Sequence, residues 1–122
     1  LVERSGCGLL LDVSNLYANS RNHGGDPVEF LRKIPLDRIG YVHVGGGVEH
    51  DGIYHDTHAA PISSGVLDLL EELCALREPP GVLLERDDDF PGEQEFLAEM
   101  AKIEGAVQRG RTRRLNDQEA AR

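Results

Sequence analysis

Three short apolar runs each end in a residue able to bind a metal ion. Leu9-Leu10-Leu11 ends in Asp12, Ile39-Gly40-Tyr41-Val42 in His43, and Val82-Leu83-Leu84 in Glu85. A fourth segment, Asp56-Thr57-His58, adds two more donors. In an extended segment residues two apart point to one side, so Asp56 and His58 can grip one ion together. Carboxylates and imidazoles without a thiolate favour iron, manganese or zinc over copper(I) or a structural zinc site. Each has an ordinary reading alone: Asp and His commonly end strands, and Asp-x-His can be a loop turn with a hydrogen-bonded imidazole. Recurrence at all three strand ends makes a metal centre the sharper expectation.

Other residues are weaker candidates. A helical turn after Asp12 would bring Asn15 back beside it, as a ligand or as a loop-capping amide. Gly45-Gly46-Gly47 lacks the Lys-Ser/Thr of a phosphate-binding loop, so close backbone approach around a metal or substrate is its expected use. His23, His50 and His55 read as exposed loop residues, with His50 a possible proton donor. Of the run Asp87-Asp88-Asp89, Asp87 is near enough to Glu85 to act behind the ligands.

The elements that must position these groups alternate in type. The strands are expected over Cys7 to Leu11, Ile39 to Val42 and Val82 to Leu84. Asp26-Pro27 supplies a cap and a first-turn proline for a short helix to Lys33. A long loop is expected from Val44 to Pro61. Ser63 or Ser64 can cap a helix to about Arg77, with Val66, Leu69, Leu70, Leu73 and Leu76 at helical spacing. A last helix from Glu93 to Gln108 aligns Phe96, Met100, Ile103 and Val107. Unbroken apolar strands indicate burial on both faces, as in parallel α/β sheets. In a barrel of such units the strand C-termini share one face, where sites are built, although an open sheet also fits the pattern.

The chain has 122 residues, short for a closed (β/α)8 barrel, which needs roughly 250. Its first residues, Leu1 to Gly6, read as the middle of a protein, and a fragment is expected. A formal net charge of −9 argues against a nucleic-acid surface. No run is apolar enough for a membrane span. Residues 109–122 collect Arg109, Arg111, Arg113, Arg114 and Arg122, and read as a basic, disordered tail. Cys7 and Cys74 are far apart, fitting two buried structural thiols in a reducing cytoplasm with no secretory signal.

Four motifs then occur in order: Gly8-Leu9-Leu10-Leu11-Asp12-Val13-Ser14-Asn15, His43-Val44-Gly45-Gly46, Asp56-Thr57-His58-Ala59-Ala60-Pro61 and Leu83-Leu84-Glu85-Arg86-Asp87. Together they resemble the domain of unknown function 692 family, the multinuclear non-heme iron-dependent oxidative enzymes. The resemblance covers all but the basic tail, and places residues 1–108 as the C-terminal half of a xylose isomerase-like TIM barrel. It implies Asp12, His43, Asp56, His58 and Glu85 as ligands to two or three iron ions, with Asn15 near them. It also implies oxidation of cysteines in a ribosomally made precursor peptide, presented by a small partner protein. The family's N-terminal half brings two further histidines and a glutamate that have no counterpart here, so this chain alone is expected to be inactive. Many members carry Gly-His after the His-x-x-Gly turn, where this chain reads Gly46-Gly47-Val48-Glu49-His50. The alternatives are a redox-neutral zinc or manganese enzyme of the same barrel class, a sugar isomerase or phosphodiesterase, and a non-catalytic half-barrel that binds a partner.

Overall fold

Strand-forming apolar runs and capped helices alternate in the computed structural model, which describes residues 1–122. A short helix α1 (Val2–Ser5) precedes β1 (Leu9–Asp12), α2 (Val13–His23) and α3 (Pro27–Lys33). A 3₁₀ turn (Leu36–Arg38) leads into β2 (Ile39–Val44), followed by β3 (Gly46–His50) and β4 (Ile53–Ala60). Then come α4 (Ser64–Leu76), β5 (Val82–Leu84) and α5 (Glu93–Ala120).

Strands β1, β2 and β5 form a parallel sheet in that order, with Asp12 beside His43 and His43 beside Leu83. Because side chains alternate along a strand, one face carries Leu11, Val42 and Val44, and the other Leu10, Tyr41 and Leu83. The first set is buried with Val66, Leu70 and Leu73 of α4 and Ile103 and Ala106 of α5 in a single core. The second is 57%, 43% and 42% exposed respectively. Both faces were expected to be covered; helices cover one, because three strands cannot close on themselves. This is mixed α/β architecture compatible with part of a barrel.

Local chemistry sets the helix starts. Asp26 accepts hydrogen bonds from Val28 N and Glu29 N ahead of Pro27, and Ser63 accepts from Val66 N. Asp12 does the same for Asn15 N, so β1 runs straight into α2. That helix was not expected, since its sequence is polar and poor in strong helix formers. Packing decides it: Val13, Ser14 and Ala18 are buried.

The segment expected as a loop from Val44 to Pro61 is a β-hairpin. Asp51 and Gly52 turn it with φ of 52° and 75°, the conformation a two-residue hairpin turn requires. Its β4 edge is held by Asn22, which accepts from Tyr54 N and donates to Tyr54 O.

Residues 109–120 are helical where disorder was expected. Composition marks them as solvated, but α4 and the residues just after it offer carboxylates in register with their arginines. Arg109 pairs with Glu71 at 2.6 Å, Arg113 with Glu72 at 2.7 Å and Arg114 with Glu78 at 2.7 Å. Gly110 permits the approach, since a Cβ there would meet Cys74 Cβ and Glu71 O at 2.5 Å. Cys74 is buried as expected, whereas Cys7 is exposed, because it precedes β1 outside the helix-covered face. No helix is long and apolar enough to cross a membrane.

Candidate metal centre

The parallel sheet brings its three C-terminal ends to one edge, and the hairpin folds a fourth element onto that edge. Ligand atoms of Asp12, His58 and Glu85 lie within 4.8 Å of one another. Glu85 Oε2 stands between two imidazoles, 2.9 Å from His43 Nδ1 and 3.1 Å from His58 Nδ1. On its other side, His58 Nε2 is 3.1 Å from Asp56 Oδ1 and 3.5 Å from Asp12 Oδ2. Every strand-end residue singled out from the sequence is therefore at one place, with Asp56 and His58 as a pair. Asn15 is exposed one helical turn beyond Asp12; its Oδ1 accepts from Asn19 Nδ2, and its side chain hydrogen-bonds the Asp56 carboxylate.

His58 is the pivot, and it is held under strain. Its φ is 50°, a left-handed conformation that a residue with a Cβ adopts only where its surroundings demand it. Its ring lies against Gly45, where an added Cβ would sit 2.9 Å from Cδ2. Gly45 is itself fixed by the buried Ser14, whose Oγ donates to Gly45 O at 2.9 Å and accepts from Gly45 N. Close backbone approach, expected of the glycine run, is realised at this position.

The charges suit a cation. With the Nδ1 proton of His58 given to Glu85, its Nε2 lone pair faces the oxygens of Asp12 and Asp56. Neither His58 Nε2 nor Asp56 Oδ1 has a partner beyond the other, although both are buried. Two donors bound side by side to one ion at about 2.1 Å would be about 3 Å apart, which is the separation these atoms have. Burial pushes the Asp56 carboxyl above the ordinary carboxylate range; His58 pulls it down and Asp12 adds to the rise. The residues fit a divalent ion bound by oxygen and imidazole nitrogen. Neither cysteine is among them.

His50, expected as a proton donor, and Asp87, expected to act behind the ligands, are placed differently from the ligands. His50 lies at the hairpin tip, its side chain 75% exposed and its Nδ1 3.1 Å from Asp51 Oδ2. Its cross-strand partner is Ile53, roughly 16 Å along β4 from His58 at 3.3 Å per residue. Asp87 is exposed, and its backbone N–H donates to His58 O at 2.9 Å, linking the two ligand segments. His23 and His55 are exposed, as expected.

Sequence reading passed over Ser14, Arg86 and Glu99. Arg86 donates to Glu99 Oε2 at 2.6 Å in the interior. The available signal was a charge at position 99, on the stripe defined by Phe96 and Ile103.

Strand-end carboxylates and imidazoles gathered at one edge of a parallel α/β sheet define a candidate metal-binding α/β domain. The family model described as the RiPP precursor modification enzyme MbnB/TglH/ChrH matches residues 1–108, and the chain belongs to that family. This agrees with the resemblance carried by the four motifs. A UPF0276 protein of Streptomyces avermitilis is 48% identical over 113 residues, 93% of this chain and 23% of the relative. A UPF0276 protein of Bordetella parapertussis is 39% identical over 115 residues, 90% of this chain and 40% of the relative. One from Caulobacter vibrioides is 39% identical over 97 residues, 80% and 35% of the two chains. The chain thus spans 23–40% of the length of these relatives.

Proposed function

We propose that the chain supplies one set of strand-end ligands to a multinuclear non-heme iron centre, in an enzyme that oxidises cysteine residues of a ribosomally made precursor peptide. The observation that carries the proposal is the convergence of Asp12, His58 and Glu85 within 4.8 Å, with Asp56 and His43 in contact with them. Three carboxylates and two imidazoles exceed what a single ion needs beside a substrate, and this surplus favours two or three ions. Iron, when bound, supplies the redox chemistry that a thiol and dioxygen require.

The chain's own residues bind and orient. Asp12, Asp56, His58 and Glu85 are assigned as ligands, and His43 as a ligand set by its bond to Glu85. Asn15 stands at the edge of the site to contact ligand or substrate. Asp87, with an exposed carboxylate two residues beyond Glu85, is the group we assign to accept the proton of an incoming cysteine thiol. The hairpin and the Ser14–Gly45 lock shield His58 from water. In this reading the three strands belong to a xylose isomerase-like TIM barrel. Its remaining strands lie in the part of the relatives that this chain does not span, and they cover Leu10, Tyr41 and Leu83. A small protein presenting the peptide completes the assembly.

The test is anaerobic reconstitution of the complete polypeptide with Fe(II), then addition of oxygen and a cysteine-containing precursor peptide. Oxygen uptake with a matching mass change on the peptide is the expected result. The donor set, which lacks thiolate, also suits zinc or manganese in a redox-neutral enzyme. Turnover without oxygen uptake would establish that second reading.

A further inference from the structure

A charged pair lies buried directly behind the cluster. The Arg86 side chain is 6% exposed and that of Glu99 2% exposed. Arg86 Nη2 donates to Glu99 Oε2 at 2.6 Å, while its Nη1 donates to Ala59 O at 3.2 Å. The second carboxylate oxygen, Glu99 Oε1, accepts from Ile62 N at 2.6 Å. Arg86 directly follows Glu85, and Ala59 directly follows His58. One guanidinium therefore reaches from the residue after one ligand to the residue after another, and Glu99 anchors both to α5. The bond from Asp87 N to His58 O at 2.9 Å runs alongside it.

Cohesion alone does not explain this pair. Desolvating two charges offsets most of their attraction, and well-packed apolar side chains often hold an interior as firmly. A planar guanidinium does something an apolar side chain cannot, because it fixes acceptors in set directions. The carbonyl of Ala59 lies one residue past the strained φ of His58, so anchoring it opposes relaxation of that backbone.

We propose that Arg86 and Glu99 are positioning residues of the metal centre, holding the Glu85 and His58 segments in one mutual geometry without touching the ion. The proposal rests on the metal reading above. It assigns a use to two buried charges that the ligand set leaves unexplained.

The test compares the complete polypeptide with its double variant Arg86→Met/Glu99→Leu, which replaces the pair by apolar side chains of similar length. Each is titrated with Co(II) alone, followed by the visible absorption of the bound ion, and thermal unfolding is recorded without metal. The expected result is an apo unfolding midpoint like the parent's, Co(II) affinity lower by about 10- to 100-fold, and an altered absorption band. Arg86→Lys, which keeps the charge but not the fork, is expected to fall between the two. Where the double variant does not fold, Arg86→Lys is compared with the parent in its place. Parent-like affinity and spectrum in the folded variant would overturn the positioning role. Absence of Co(II) binding by the parent would overturn the metal reading beneath it, so the two failures are distinct.

Discussion

His58 Nε2 and Asp56 Oδ1 lie 3.1 Å apart, buried, with no partner beyond one another. Leaving a buried polar atom unpaired costs about 1–3 kcal/mol, so these two atoms need either a proton on Nε2 or a cation between them. A cation is the partner both can accept. Asp56→Asn keeps the shape but removes the charge, and His58→Ala removes the nitrogen. Each is expected to lower Fe(II) affinity by more than about 100-fold, beyond the usual loss of an outer partner. Anaerobic calorimetry measures this, and unchanged affinity in either variant would count against the assignment.

Metal binding should also stabilise the chain, because Asp12, Asp56 and Glu85 come from β1, β4 and β5 or its end. Fe(II) at about 100 times its dissociation constant adds about 2.7 kcal/mol to the folded state. For a chain of this size the unfolding midpoint should rise by about 10 °C and fall back when a chelator is added. A midpoint indifferent to both additions would contradict a site shared between these elements.

Gly45→Ala places a methyl group against the His58 ring and the Glu85 carbonyl, 2.9 and 3.1 Å away. Overpacking of this kind costs about 1–3 kcal/mol. The expected signature is a loss of metal affinity larger than that seen for an equally destabilising change in the α4–α5 core, such as Ile103→Val. Equal losses in the two variants would show that Gly45 serves packing only.

Acid should release the end of α5 first. Hydrogen bonds from Arg111 and then Arg114 hold the Glu78 carboxyl down at about 2. Arg109, and secondarily Arg113, lowers that of Glu71. A folded-state value below the ordinary 4.5 means stability that is present above pH 4.5 and lost as pH falls toward 2. These groups lie at the surface and stay partly exposed, so the effect is modest and weakens with salt. Circular dichroism between pH 6 and about 2.5 should show a partial loss of helix in the chain and none in one truncated after Gln108. The same acid profile in both would exclude these pairs as its cause.

The sequence made the site more legible than its surroundings. Asp12, His43 and Glu85 could be found because each ends an apolar run, and Asp56 and His58 because alternation puts them on one side. The three strands and α4 were legible for the same reason, since apolar spacing and capping Ser63 are local signals. The hairpin was not legible although Asp51-Gly52 marks its turn, because glycines and polar residues break the apolar alternation of its strands. Helix α2 was obscured by its polar composition, and its formation depends on burial of Val13, Ser14 and Ala18 by distant elements. The end of α5 was misread because its arginines were weighed without the carboxylates of α4, some 40 residues earlier. Arg86 and Glu99 were invisible as a pair for the same reason: a buried charge is recognisable only through its partner.

Metal content per chain after anaerobic preparation with Fe(II), for the complete polypeptide and for its His58→Ala variant, tests the central proposal most directly. Two or more irons per chain, lost in the variant, is the expected result. A single zinc or manganese, or no metal in either protein, would contradict it.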